Sequence, residues 1–171
     1  MRKTLTTAVS LVALLTTLTA CSSNSPSQHS SDGKASTLVS MPITADCAFR
    51  RVSAAVSSAR GPGFVTAAID PNHLLGRPHQ YTSKVTFDDS RVPADQIRGM
   101  DKGDVGRGGA IEVFGSPADA NARARYIQAV LKSMPPLAEY DYVHGRVLVR
   151  VSHYLTPKQA AAYKTAAGEL D

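Results

Sequence analysis

The segment spanning residues 139–154 constrains the fold more tightly than any other part of the chain. Two strand-like runs, 139–143 and 146–153, are separated only by His144-Gly145. A link of two residues leaves no room for a crossover, so the runs must pair as an antiparallel hairpin, with glycine placed where a positive φ is wanted. Side chains alternate along a strand, so Val147, Val149 and Val151 share one face while Leu148, Arg150, Ser152 and Tyr154 share the other. The valine face belongs in a core. The second face reads as too polar for full enclosure and is expected to stay open.

The remaining elements build around that hairpin. Residues 45–60 predict a first helix, with Phe49, Val52, Val56 and Ala59 at spacings of three and four and Gly61-Pro62-Gly63 as its stop. A short apolar run over 64–69 suits a strand, followed by the loop Asp70-Pro71-Asn72-His73-Leu74-Leu75-Gly76-Arg77-Pro78. Over 81–88, Tyr81, Ser83, Val85 and Phe87 alternate with Thr82, Lys84, Thr86 and Asp88, the pattern of a strand with one wet face. Residues 89–109 form the longest stretch without a clear element, interrupted at most by a helical turn over 93–97. Loops of that length in a compact domain are usually functional or mobile.

A strand over 110–114 leads into Ser116-Pro117-Ala118-Asp119, where serine can cap, proline fits the first helical position and aspartate favours the positive end of the helix. That helix should run to Lys132 on a stripe of Ala120, Ala124, Ile127, Val130, Leu131 and Met134 before Pro135-Pro136 ends it. Thr156-Pro157-Lys158-Gln159 opens a last helix with a capping box, and Ala160, Tyr163, Ala167 and Leu170 face inward. The order α-β-β-β-α-β-β-α, joined by hairpin-like links, argues an α+β domain: an antiparallel sheet of about five strands with helices packed on one face.

The N-terminal segment is of a different kind. Met1-Arg2-Lys3 is a short positive region and residues 5–18 are apolar or small and uncharged, too short a run to span a bilayer but suited to a secretion signal. It closes on Leu18-Thr19-Ala20-Cys21, which resembles the leucine-small-small-cysteine box of the bacterial lipoprotein signal. That resemblance implies cleavage before Cys21 and lipid on its thiol. Residues 22–40 hold eight serines and almost nothing apolar, a composition that cannot offset chain entropy by burial. The expected organisation is therefore a signal peptide over 1–20, a lipidated Cys21 with a flexible Ser-rich tether over 21–40, and a single domain over 41–171. Such a tether lets the domain stand roughly 25 Å from the membrane.

Charge and cysteine content narrow the partners. The formal charge is +5, and Arg2 and Lys3 would leave with the signal. Basic residues are interspersed with acids and form no run suited to a phosphate backbone, so nucleic acid is not expected as a partner. An acylated Cys21 leaves no second thiol to bridge Cys47, which excludes a disulfide framework; Cys47 reads as a small residue packed at a helix start.

No specific catalytic or metal spacing is present. The chain lacks His-Glu-x-x-His, Gly-x-Ser-x-Gly and a phosphate-cradling glycine loop, and Gly106-Arg107-Gly108-Gly109 precedes a strand instead of following one. Asp70, His73 and His79 are weak metal candidates on one loop, but Asp70 beside Pro71 reads more simply as a turn former. Asp101 and Asp104 lack the alternating ligands of a calcium loop. No cofactor is expected. Tyr140, Tyr142 and Tyr154 with Arg150 are the best material for a binding surface, since tyrosine gives contact area with a polar tip and arginine grips carboxylates or stacks on rings. Packing beneath helices is the simpler role for the tyrosines, and the absence of tryptophan weakens a sugar-stacking role.

The 70–78 loop, Gly109-Ala110-Ile111-Glu112-Val113-Phe114, Arg125-Tyr126-Ile127-Gln128, and Tyr140 through Ser152 followed by Leu155-Thr156-Pro157 together resemble small cell-envelope lipoproteins predicted in actinobacteria. The resemblance spans most of the domain, implies a lipid-anchored location on the extracytoplasmic face of the cell membrane, and carries over no activity. The function expected is a non-enzymatic binding or interaction module taking a peptide, wall component or protein. The alternatives are a small secreted hydrolase or metal-dependent enzyme using the Asp70/His73/His79 loop, and an envelope guard of the phage-exclusion type.

Overall fold

The hairpin lies at one edge of the sheet, in the register that its two-residue turn demands. In the computed structural model, which describes residues 43–170, β4 (Glu139–His144) and β5 (Val147–Ser152) pair antiparallel through Tyr142↔Val149 and Asp141↔Arg150. Gly145 turns with φ of +52°. The proposed signal, Cys21 and the 22–40 tether lie outside the described residues. Preceding the hairpin are α1 (Ala45–Ala55), β1 (Ala59–Phe64), β2 (Tyr81–Asp89), β3 (Gly108–Phe114) and α2 (Pro117–Leu131), and α3 (Pro157–Ala167) follows it. The element order is the expected one, and the five strands form a single antiparallel sheet ordered β1-β2-β3-β5-β4.

Because β5 lies between β3 and β4, those two strands run parallel and α2 must cross over the sheet to join them. The helices therefore divide between the faces, where the sequence pattern had suggested that one face carried them all. On one face α1, α3 and the residues just after α3 bury Ala48, Phe49, Val52, Ala160, Tyr163 and Leu170 against Val85, Phe87, Ile111, Val113, Val147, Val149 and Val151. On the other, α2 packs Ala120 and Ile127 against Leu148, Phe114 and Tyr81. The face predicted to stay open is closed: Leu148 and Ser152 are buried, and Arg150 reaches neighbouring carboxylates instead of solvent.

The caps form as the sequence requires. The side chains of Ser116 and Thr156 accept from the backbone N–H groups of Asp119 and Gln159, each with proline in the first turn, and Gln159 completes the reciprocal capping box. Thr44 caps α1 by accepting from the Cys47 N–H at 3.3 Å.

Two predicted boundaries move. The first helix ends at Ala55, and Gly61-Pro62-Gly63, expected to be its stop, lies inside β1; residues 65–69, expected in a strand, follow it. An edge strand tolerates a missing N–H. The register shift between Arg60 and Gly63 absorbs Gly61 at φ +62°. A second shift between Tyr81 and Ser83 sends Tyr81 to the α2 face while Val85 and Phe87 point to the opposite core. The long 90–107 connection is tied down by successive turns, with Val92 buried and Arg107 gripping Asp88 through Nε and Nη2 at 3.0 and 2.8 Å.

At the sheet centre β3 admits no side chain at Gly109. A Cβ there would stand 2.3 Å from the Arg150 carbonyl oxygen and 2.5 Å from the Phe87 ring. Gly109→Ala is therefore expected to destabilise the domain by about 1–3 kcal/mol, read as a lower denaturant midpoint. An unchanged midpoint would show that the sheet centre is looser than this packing implies.

Candidate functional site

Strand register assembles charged side chains beneath α2. Lys84 stands opposite Glu112, and Ala110 and Asp141 flank Arg150, so Lys84, Glu112, Arg150, Glu139 and Asp141 all point to the α2 side of the sheet. Glu112 is 0% exposed. Its Oε1 lies 3.1 Å from Arg150 Nη1 and 3.6 Å from Lys84 Nζ, while Oε2 faces Nε of Arg123, from α2, at 3.5 Å. Arg150 also grips Glu139 with both prongs, Nε to Oε1 at 2.7 Å and Nη2 to Oε2 at 2.9 Å. Burial alone would lower its pKa; the Glu139 bonds and the surrounding carboxylates more than reverse this and hold the guanidinium charged.

The 70–80 loop closes one end of this cluster. Asp70 accepts from the Tyr81 hydroxyl at 2.6 Å and from the backbone N–H groups of Leu74 and Leu75 at 2.8 and 3.0 Å, with Lys84 Nζ 3.5 Å away. Burial pushes this carboxyl up, but the hydroxyl, the two amides and the ammonium together bring it down to about 2. Burial and the same hydrogen bond push the Tyr81 phenol well above its ordinary range. Asp70 is thus a buried hub of the loop. His73 and His79 take positive φ values of 52° and 60° at turns, and His79 Nδ1 meets Asp119 at 3.0 Å. The loop does not gather Asp70, His73 and His79 around a common point, and among the described residues no three His, Cys, Asp or Glu side chains are grouped to hold a metal.

At the other end lies a carboxyl pair. Asp141 receives a 2.7 Å hydrogen bond from Gln128 of α2, while its Oδ1 is buried without a hydrogen-bond partner. Burial, reinforced by the neighbouring Glu139 carboxylate, pushes its pKa up to about 7.

Above the charged floor, α2 and the segment after it form an open groove of about 770 Å³. Leu74, Ile127, Val130, Leu131 and Met134 are among its walls, Tyr126 and Leu137 stand at its margin, and Arg123 and Arg150 border it from the cluster. Tyr126, Met134 and Leu137 are 62%, 39% and 58% exposed. Neither the groove nor the Arg123–Glu112 pair was visible in the sequence; the nearest signal was the apolar stripe of α2, which named Val130, Leu131 and Met134.

The tyrosines expected to share a surface with Arg150 do not. Tyr140 and Tyr142 pair with Val151 and Val149 on the α1/α3 side, stacked with ring centroids 6.5 Å apart and packed against that core with Tyr154. Arg150 points the other way. No protein-family model, curated protein or solved structure matches this chain.

Two measurements check the cluster. Glu112→Gln leaves three cations facing a neutral amide and is expected to cost about 3 kcal/mol or more in denaturant unfolding; a loss well under 1 kcal/mol would mean that water reaches the site. The pH dependence has two opposed parts. Asp70, held at about 2 against an ordinary 3.8, contributes stability that is present above pH 4 and lost as pH falls towards 2. Asp141, raised to about 7, contributes stability that is present below pH 4 and lost as pH rises through 7. Asp141→Asn should therefore gain on the wild type between pH 5 and pH 8; a constant difference across that range would refute the assignment.

Proposed function

We propose that this chain is a membrane lipoprotein, anchored through lipid on Cys21, whose extracytoplasmic domain is a non-enzymatic binding module with its ligand site in the groove beside α2. The observation that carries the binding site is the gathering of exposed apolar side chains. Among the described residues, five large hydrophobics are exposed, and Tyr126, Met134 and Leu137 all line this one groove. Contiguous exposed apolar surface beside polar groups marks interaction sites, whereas single exposed hydrophobics carry no such meaning. The groove also lies within the usual size range of small-ligand sites, about 300–1,000 Å³.

The charged floor supports binding more than catalysis. Arg150 is held by Glu112 and Glu139, and Asp70 by the Tyr81 hydroxyl and two backbone amides, and no nucleophile stands beside a base among them. The anchor is supported by Leu18-Thr19-Ala20-Cys21 and the Ser-rich stretch that follows. Two or more acyl chains hold firmly where one holds marginally.

Both parts are testable in the full chain. Cys21→Ser is expected to move the protein from the membrane to the soluble fraction, with the wild-type Cys21 carrying acyl mass; an unmodified Cys21 in the membrane fraction would overturn the anchor. A photo-crosslinking residue at Tyr126 or Leu137 should give a discrete adduct in cells that is absent when the same probe replaces Arg50, an exposed residue of α1. Adducts at Arg50 and none in the groove would move the binding site to the α1 side.

A further inference from the structure

The groove has a chemical polarity that narrows its ligand. Along one wall Val130, Leu131, Met134 and Leu137 offer side chains without donors or acceptors. Near the floor stands Arg123, whose side chain is only 11% exposed. Its Nε is buried without a hydrogen bond, facing Glu112 Oε2 at 3.5 Å, and its remaining contact is the Tyr126 ring, 5.8 Å from the guanidinium carbon. Arg123 lines the groove, and among the described residues its two terminal nitrogens make no hydrogen bond. Glu112 serves Arg150 and Lys84 as well, so Arg123 holds only a share of one carboxylate.

We propose, building on the reading of the groove as a ligand site, that it binds a long acyl chain ending in a carboxylate: the head pairs with the terminal nitrogens of Arg123 and the tail lies along Val130, Leu131, Met134 and Leu137. The planar guanidinium presents two parallel donors, the arrangement that a carboxylate accepts in bidentate fashion. An acyl tail needs nothing from the wall but apolar contact. A peptide would bring a backbone N–H and C=O with each residue, and groups buried without partners oppose binding. The aliphatic wall provides no such partners, and the polar lining residues Asn72, His79, Gln80 and Asp119 serve only backbone groups that lie off that wall. Met134, unbranched and flexible, adapts to a chain of variable shape.

The test uses the full-length protein in a non-ionic detergent, with oleate, oleyl alcohol and a short apolar peptide with a free C-terminus as probes in calorimetric titration. The wild type should bind oleate at least about tenfold more tightly than oleyl alcohol, the difference expected of a charge-assisted pair. Arg123→Gln should erase that preference, and Arg123→Lys should restore part of it. Arg123 also faces Glu112, so Leu137→Asp, at a 58% exposed position, serves as a second variant: it should fold normally and weaken oleate by a similar factor. Equal affinity for oleate and oleyl alcohol, or oleate binding unaffected by both Arg123→Gln and Leu137→Asp, overturns the inference. Binding of the peptide without oleate overturns it while leaving the binding-module reading intact. Silence towards all three probes together with no groove adduct in the crosslinking experiment overturns both.

Discussion

The arrangement of the α2 face depends on the Glu112 carboxylate. A carboxylate fully withdrawn from water carries a desolvation penalty of several kcal/mol even after relaxation, and one neighbouring cation at 3.6 Å would offset only part of it. Glu112 is instead approached from three elements, by Lys84 of β2, Arg150 of β5 and Arg123 of α2. Such clusters seldom exceed an apolar core in net stability. Their consequence here is positional: α2 meets the sheet in the register that brings Arg123 to Glu112 and Gln128 to Asp141, because any other register strands a buried charge. The hydrophobic contacts of Ala120 and Ile127 would by themselves discriminate far less between neighbouring registers.

The opposite face solves the same problem with a second carboxylate. Asp89 accepts from the Tyr163 hydroxyl at 2.6 Å, from Ser58 at 3.1 Å, and from the guanidinium and backbone N–H of Arg91. Burial pushes this carboxyl up, and these donors hold it below its ordinary range. Tyr163 in turn stacks on Phe87 at 5.5 Å, and Phe87 meets Phe49 at 5.6 Å, so one hydrogen bond locates α3 within a core that is otherwise non-directional. Asp70 with Tyr81 and Asp89 with Tyr163 are equivalent devices on the two sides of the sheet. Each gives a buried phenol its acceptor, and each fixes a connection at one end of β2.

What could be read from the sequence was whatever depends on local pattern. The valine alternation of β5, the caps at Ser116 and Thr156, and the stripe from Ala160 to Leu170 each express a period or a turn rule confined to a few residues, and each is found in the structure. β1 was hidden because Gly61-Pro62-Gly63 signals a stop wherever it stands, and only its place at the sheet edge makes it tolerable. The face of Tyr81 was hidden by a register shift, which reverses the alternation after one residue. The site was hidden for a different reason. Lys84, Glu112 and Arg150 occupy alternate strand positions that ordinarily face water, and nothing local distinguishes a solvated charge from one paired across 38 residues of sequence, as Arg150 and Glu112 are.

The groove follows from the same charges. The crossover requires α2 to lie over β3 and β5, yet the sheet positions beneath it are taken by Glu112 and Arg150, which need polar partners from the helix. Arg123 supplies one to Glu112 and so takes an inward position that an apolar residue would otherwise fill, while Gln128, exposed on the helix, reaches Asp141 at the sheet edge. Only Ala120 and Ile127 are fully buried along α2, while Tyr126 and Val130 line the groove. A helix with more apolar surface than its sheet covers, held in place by ion pairs, departs from the agreement between local pattern and global packing that a purely structural element would show. That departure is concentrated where Arg123 leaves donors unused, so the unspent apolar surface and the unpaired polar groups occur at one place.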